Sequence, residues 1–238
     1  MDILFEESGF VVKKVSAPEE FAAVWRLRHD VFAGELKWVP EDPNGVEVDS
    51  YDSFSETIGV LGPGMEPVGS LRMIKAPRPF MIDKEFACLM PEGASIERTP
   101  EVAEITRLCV KKEFRSSNCE PNITFLLYKG LYHWNLMNGV RYSAMVVDNR
   151  CYRILRLACL PVEAVGSFIT MPDGVKAAVC MLDWRRFETE ASIKRPEYYE
   201  WMTGRSLKDS DHIQAIQKGQ YARSREMRDE AYSPCTPQ

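Results

Sequence analysis

The spacing of apolar and polar positions divides this chain into alternating strand-like and helix-like stretches. Residues 10–15 alternate weakly and are rich in valine, which predicts a first strand. Ser16, with Glu19 three residues later, predicts a capping box that opens a helix over about 18–36. Phe21, Trp25, Phe32 and Leu36, with Val24 and Val31 beside them, form its buried stripe, and Arg28 lies on that stripe. A guanidinium there requires an acidic partner, because burying it unpaired costs several kcal/mol. Residues 57–61 and 68–76 predict a hairpin across a Gly/Pro-rich turn at 62–67, ended by Pro77 and Pro79. A short helix is expected at 81–90 and a strand at 102–110, followed by an apolar helix at 122–138, a strand at 141–147 and a helix at 149–158. Residues 162–169 and 174–184 carry the last strand signals. Strands interleaved with helices on both sides of one sheet predict the α/β class, as a three-layer αβα sandwich around a mixed sheet.

Two stretches fall outside this pattern. Residues 39–54 contain two prolines, Asn44-Gly45 and five carboxylates: Glu41, Asp42, Glu47, Asp49 and Asp52. That reads as a loop too long to be an idle connection, and Trp38, Tyr51 and Phe54 argue for order. From Thr189 onward the chain is polar and charged, without an apolar period. The expected organisation is therefore a catalytic-sized domain at 1–188 and a polar extension at 189–238, partly helical and partly mobile.

Composition narrows the classes. The 238 residues are 45% hydrophobic and 27% charged, the balance of a soluble globular domain. No apolar run approaches the ~20 residues that span a bilayer. The first residues are acidic where a signal peptide is basic, so a cytoplasmic location is expected, with no membrane partner. Seven cysteines without a Cys-x-x-Cys pair and three scattered histidines argue against a disulfide framework or a zinc site, so no metal is expected. The net charge of −5 is uneven: residues 1–110 carry 11 basic and 20 acidic side chains, residues 111–188 carry 11 and 7. The middle of the chain is thus locally basic and suited to an acidic partner, or simply a solvated face. With a pI near 5.4 and few aromatics in the basic stretch, no nucleic-acid partner is expected.

Charges set inside apolar patterns carry the chemistry. Besides Arg28, one strand holds Arg72, and another holds both Glu104 and Arg107. Any one of these could face solvent. Two strand arginines, a strand glutamate, a helix arginine and a carboxylate-rich loop can satisfy one another only by converging, which predicts a polar network in a cleft. Glu104 and Arg107 are three apart, so a regular strand sends them to opposite faces. If both reach one cleft, the strand carries a bulge between them. Phosphate-loop, Gly-x-Gly-x-x-Gly, Gly-x-Ser-x-Gly and His-Glu-x-x-His patterns are all missing, which removes the common nucleotide, serine-hydrolase and zinc-protease readings.

Arg28, Phe32 and Trp38, then Asp49-Ser-Tyr-Asp52, Arg72, Phe86 and Glu104-Ile-Thr-Arg107 together resemble the acyl-homoserine-lactone synthases, the autoinducer synthases of bacterial quorum sensing. The resemblance spans about residues 20–185. It implies a fold like that of the Gcn5-related N-acetyltransferases (GNAT). It also implies an acyltransferase reaction in which an acyl group passes from a carrier thioester to the α-amine of S-adenosylmethionine. Lactonisation then releases methylthioadenosine. S-adenosylmethionine is here a substrate, and no cofactor is implied. In this reading Glu104 is the base and Arg107 its catalytic companion. Arg28, Asp49, Asp52 and Arg107, with Arg72, order the loop over S-adenosylmethionine, while Phe32 and Trp38 flank its sulfonium and adenine. A backbone N–H near 106–108 would serve the oxyanion. Phe86, Met145 and Val147 line the acyl pocket; Met145, lacking a hydroxyl, favours chains unsubstituted at carbon 3.

The sequence departs from the family at several points. Thr106 stands for a common serine, Ala158-Cys159 for a glycine, and Lys111-Lys-Glu-Phe-Arg115 for the acetyltransferases' pyrophosphate loop. That last departure favours acyl carrier protein over acyl-coenzyme A, docked on Lys111, Lys112, Arg115, Arg150, Arg153 and Arg156. Two other readings compete: a related N-acyltransferase making N-acyl amino acids without lactonisation, and a non-catalytic ligand sensor on the same fold.

Overall fold

The computed structural model describes residues 3–115 and 121–204. Among these residues nine strands form one sheet: β1 (Ile3–Glu7), β2 (Phe10–Lys14), β3 (Glu56–Leu61), β4 (Pro67–Lys75), β5 (Val102–Val110), β6 (Tyr142–Asp148), β7 (Val162–Ala164), β8 (Ile169–Thr170) and β9 (Lys176–Asp183). Their order is β1-β2-β3-β4-β5-β6-β9-β7, with β8 on β9, and only β5 and β6 run parallel. Five helices accompany them: α1 (Pro18–His29), α2 (Ile123–Asn138), α3 (Asn149–Leu157), α4 (Trp184–Lys194) and α5 (Pro196–Thr203).

Period-two alternation assigns the faces. On β5, β6 and β9, Ala103, Ile105, Met145, Val147, Cys180 and Leu182 point into the large core shared with α2 to α5. Their neighbours Val102, Ala144 and Val179 point the other way, against Tyr51, Phe80 and Ile82. That second face is covered by α1 and by irregular chain, and it is where the carboxylate-rich loop lies. Helix α2 presses close on the first face at Gly130, where a Cβ would meet Val12 Cγ1 at 2.9 Å and Ile58 Cγ2 at 3.3 Å.

Several elements differ from the sequence expectation. The strand β1 was not anticipated; it pairs antiparallel with β2 across a tight Ser8-Gly9 turn. Pro18 takes the first helical position of α1, so the cap moves one residue along. Glu20, not Glu19, accepts from the Ser16 and Ala17 N–H groups at 3.1 and 3.2 Å. The helix then widens into a π-helical segment, Asp30–Glu35, closed by Leu36 N–H donating to Val31 O at 2.9 Å. The buried side chains are Val24, Leu27, Arg28, Val31, Phe32 and Ala33; the wider turn breaks the 3.6-residue spacing after His29, and Leu36 turns outward. The helix expected at 81–90 is two 3-10 turns, Met81–Asp83 and Ala87–Leu89, separated by Lys84-Glu85-Phe86.

The boundary drawn at residue 188 is corrected as well. Helix α4 runs through it, and Phe187 and Ala191 are both fully buried. Helix α5 then returns to the core: Met202 is fully buried, and Trp201 donates to Glu7 at 2.7 Å. One such side chain is worth roughly 1.5–3 kcal/mol, enough to hold a two-turn helix whose sequence shows little period. The rest of the expected extension, 205–238, lies outside the described residues. Among the described residues no helix is long and apolar enough to cross a membrane.

Leucine is a better helix former than glycine by about 1 kcal/mol. Gly130→Leu should nevertheless lower stability by roughly 1–3 kcal/mol, because no space exists between α2 and the sheet. A thermal melt at or above the wild-type midpoint would show that α2 does not press on β2 and β3 there.

Candidate active site

The loop between α1 and β3 folds back over β4 and β5 because its carboxylates first cap one another and then meet arginines. Asp49 accepts from Tyr51 N–H at 2.9 Å, and Asp52 accepts from Asp49 N–H at 2.8 Å, closing the turn Ser50–Phe54. This reciprocal pairing is the local consequence of the Asp-x-x-Asp spacing. It leaves both carboxylates facing the sheet.

Three arginines receive them. Arg28 donates to Asp52 through both Nη atoms at 2.6 and 3.0 Å, and through Nε to Glu47 at 2.5 Å. Arg72 grips Asp49 in the same two-pronged way at 2.6 and 2.9 Å, reaches Asp52 at 3.1 Å and donates through Nε to Thr106 Oγ1 at 3.0 Å. Arg107 bonds Glu47 at 3.0 Å and Asp49 at 2.9 Å. Arg28 and Arg72 are essentially inaccessible, at 1% and 0% exposure. Burial weakens the Arg28 charge, but Asp52 and Glu47 outweigh it and raise its pKa. Burial likewise opposes ionisation of Asp52, and the Arg28 bonds reverse that effect, holding its carboxyl below the usual range. Tyr51, buried beneath the loop, places its ring 5.7 Å from the Arg72 guanidinium.

The predicted bulge is present. Ser70 pairs with Cys109 but Arg72 pairs with Thr106, so β5 spends one extra residue there. Arg107 takes the left-handed conformation, φ +53°, at that point. Such a conformation costs a non-glycine residue about 1–3 kcal/mol. It turns Arg107 onto the face that Glu104 and Arg72 already share, and its guanidinium lies 5.6 Å from the Phe32 ring.

Glu104 stands apart from the ion pairs. Its oxygens accept from Met81 N–H at 2.6 Å and Ile82 N–H at 3.0 Å. Burial pushes its pKa up to about 7; the two N–H donors and Arg72 restrain the rise, and Asp83 adds to it. Between the ordinary glutamate range and about 7, the unfolded carboxyl ionises while the folded one keeps its proton, so Glu104 makes stability fall as pH rises through that window.

Beside Glu104 the sheet opens. Strands β5 and β6 pair only from Val102↔Tyr142 to Ile105↔Met145, after which β5 continues with β4 and β6 continues with β9. The β6-facing edge of β5 beyond Ile105 is therefore unpaired with β6, in the region where an oxyanion donor was sought.

The sequence-predicted residues divide accordingly. Arg28, Asp49, Asp52, Arg72, Glu104 and Arg107 converge on one face. Phe32 stacks with Trp38, ring centroids 6.2 Å apart, and Trp38 remains 49% exposed at the rim. Phe86 packs on the Glu104 face, whereas Met145 and Val147 lie in the core of the other face, so these three do not form one wall. Between them the β5–β6 pairing ends at Ile105 and Met145. Lys112, Arg150, Arg153 and Arg156 are exposed and Lys111 is half-buried. Arg115 is not a free cation: Glu35 binds it at 2.7 Å, and its Nε donates to Val110 O at 2.6 Å. Sequence reasoning missed Glu47, the carboxylate that joins Arg28 to Arg107. It stood among the loop's acidic residues, but nothing local marked it, because the arginines that bind it come from α1 and β5. Among the described residues no group of three or more His, Cys, Asp or Glu side chains is placed to hold a metal ion.

A mixed sheet split between two parallel strands, with a protonatable carboxylate at the split, defines an acyltransferase-like class. Solved structures bear out the fold. The acyl-homoserine-lactone synthase LasI superposes with a TM-score of 0.66 at 18% identity, over 73% of this chain and 89% of its own. The CoA-dependent acyl-homoserine lactone synthase BjaI, solved with MTA, gives 0.66 at 20% identity over 75% and 86%. A putative N-acetyltransferase from Lactobacillus plantarum gives 0.51 at 16%, over 73% and 97%. The chain belongs to the autoinducer synthase family, a family of transferases, whose model matches residues 13–191. Its relatives include the acyl-homoserine-lactone synthase of Rhizobium radiobacter, 29% identical over 64% of this chain and 74% of that one. The corresponding enzyme of Aeromonas hydrophila is 30% identical over 60% and 70%.

Removing Arg28 takes from Asp52 its two-pronged partner and from Glu47 one of its two arginines, leaving each carboxylate short of compensating charge. Arg28→Ala should therefore lower the unfolding free energy by about 3–5 kcal/mol at neutral pH. The loss should shrink as pH falls through the depressed Asp52 value, because a protonated carboxyl needs no cation. Urea titrations at neutral and acidic pH measure both; an unchanged neutral midpoint would contradict the network.

Proposed function

We propose that this protein makes an N-acyl-homoserine lactone from S-adenosylmethionine and an acyl thioester, releasing methylthioadenosine as a quorum-sensing signal is formed in the cytoplasm. The observation that carries this reading is Glu104, a buried carboxylate without an ion-pair partner of its own, set where β5 and β6 part. Its elevated pKa suits a base working near neutral pH. Support comes also from relatives: BjaI was solved with SAM and isopentyl-CoA, and TofI with an inhibitor and MTA.

In this mechanism S-adenosylmethionine lies against the loop of Glu47, Asp49 and Asp52, with Phe32 and Trp38 at its rim. Glu104, directly or through a water, takes a proton from the substrate ammonium. The freed amine attacks the thioester carbonyl, the tetrahedral oxyanion is held by N–H groups on the unpaired edge of β5, and the carrier leaves as a thiol. The substrate carboxylate then attacks its own γ-carbon. The carbon–sulfur bond breaks with its electrons on sulfur, the sulfonium charge is cancelled, and methylthioadenosine and the lactone separate. Arg107 holds the loop closed at the base, which is why a strained backbone is kept there.

The acyl chain passes through the gap after Ile105 and Met145 and rests on Met145 and Val147 in the opposite core. Without a hydroxyl at Met145, chains unsubstituted at carbon 3 are preferred. The thioester partner in this reading is an acyl carrier protein. Its acidic surface meets Lys111 and Lys112 after β5 and Arg150 and Arg153 at the start of α3, at the end of the sheet where the gap opens. Arg115, occupied by Glu35, contributes little.

Glu104→Gln and Arg107→Ala should each abolish methylthioadenosine release while the protein stays folded. Wild-type kcat/KM should fall on an acid limb near pH 7, as Glu104 gains its proton. Near-normal turnover in Glu104→Gln would remove it as the base. Mass spectrometry of the product identifies the lactone, and an open-chain N-acyl product would contradict the proposal.

Reversing Lys111, Lys112, Arg150 and Arg153 to glutamate should raise KM for the acylated carrier protein at least tenfold, with KM for S-adenosylmethionine unmoved. Added salt should reproduce part of that loss in the wild type. Equal turnover with acyl-coenzyme A would overturn the choice of carrier.

A further inference from the structure

The turn that grips Glu104 is itself held by residues outside the arginine network. Asp83 closes the turn Met81–Asp83 by accepting from the Phe80 N–H at 3.0 Å. Fixing that residue aims the next two N–H groups, those of Met81 and Ile82, at the two Glu104 oxygens. On its outer side the same Asp83 oxygen is bound by Arg98, which comes from the segment between the second 3-10 turn and β5. Arg98 also lies over the Phe80 ring, its guanidinium 5.3 Å from the ring centre. Phe80 is fully buried, so Arg98 braces both ends of the turn against the sheet.

We propose that Asp83, latched by Arg98, is a positioning residue for Glu104: it fixes the turn that holds the carboxylate and faces that carboxylate with a like charge. The proposal rests on the reading of Glu104 as the base. A carboxylate held by two N–H groups alone would be a weak base, stabilised as the anion. A second negative charge nearby counteracts this, and Arg98 on the far side sets how strongly it is felt.

The other groups facing Glu104 come from different elements. Arg72 on β4 favours its ionised form, but is itself engaged by Asp49. Tyr51 on the loop faces it with a phenol that burial keeps protonated, and that phenol donates to Glu85 at 3.4 Å. None of these reverses the effect of Asp83, whose charge adds to the burial of Glu104.

Two substitutions should act in opposite directions. Asp83→Asn keeps an oxygen for the Phe80 N–H but removes the charge, so the acid limb of kcat/KM should move to lower pH by about half a unit or more. Arg98→Gln leaves the Asp83 charge unopposed and should move the limb to higher pH by a similar amount. A purely structural role for the turn would lower kcat in both without moving the limb in opposite senses. The same order should appear in a substrate-free titration of the Glu104 carboxyl by 13C NMR, with Glu104→Gln identifying the signal. Unmoved titrations, or shifts in one direction for both variants, would overturn the proposal. If Asp83→Asn does not fold, Arg98→Gln decides alone: a raised carboxyl titration supports the latch and an unchanged one refutes it. The carboxyl titration needs no substrate, so it stands apart from the proposed reaction. A wild-type protein that releases no methylthioadenosine from any acyl donor would sink that reaction, while the NMR shifts would still judge Asp83.

Discussion

Three arginines facing three carboxylates hold the functional face together. Neither set could be buried alone, because an unpaired charge in that setting is destabilising by several kcal/mol. The loop from 39 to 54 has little apolar surface to dock by; Tyr51 is its main buried side chain. Its position over β4 and β5 therefore follows from charge pairing, with α1 and both strands each supplying one arginine. The arrangement couples stability to site geometry: whatever orders the loop also shapes the surface beneath Phe32 and Trp38.

The bulge in β5 is the backbone counterpart of that network. A regular strand would send Arg107 toward the large apolar core, away from the loop carboxylates. The extra residue and the left-handed turn bring it to the loop carboxylates, and the strain is offset by the bonds to Glu47 and Asp49. Just beyond, β5 and β6 part company. A single stretch of strand thus carries Glu104, the bulge and the end of the β5–β6 pairing, so a buried carboxylate, a loop anchor and the split in the sheet lie within a few residues of one another.

Electrostatics then differentiate the carboxylates. Asp52 sits between Arg28 and Arg72 and is held ionised. Glu104, more deeply buried, is held by two backbone donors, with Arg72 acting on it without a direct bond; burial outweighs them, and its proton affinity rises instead. The difference arises because each arginine fork is already filled by the loop before it could reach Glu104. Loop order and the proton affinity of Glu104 are in that sense one property.

The sequence by itself determined most of the elements and the membership of the network. Alternation located β2 to β6 and β9, apolar spacing located α2 and α3, and charges misplaced within apolar patterns singled out Arg28, Arg72, Glu104 and Arg107. Even the bulge followed once Glu104 and Arg107, three residues apart, were required to share one cleft, because strand geometry is local. Tertiary structure alone decided what depends on distant partners. Glu47 became a bridge only when α1 and β5 met it. Helix α5 formed because the core receives Met202 and Trp201, despite a weak period of its own. Leu36 turned outward through a π-helical turn that no spacing announces. Met145 and Phe86, close in expected role, were parted by the sheet, since a strand's alternation fixes which residues share a face but only packing decides what each face meets.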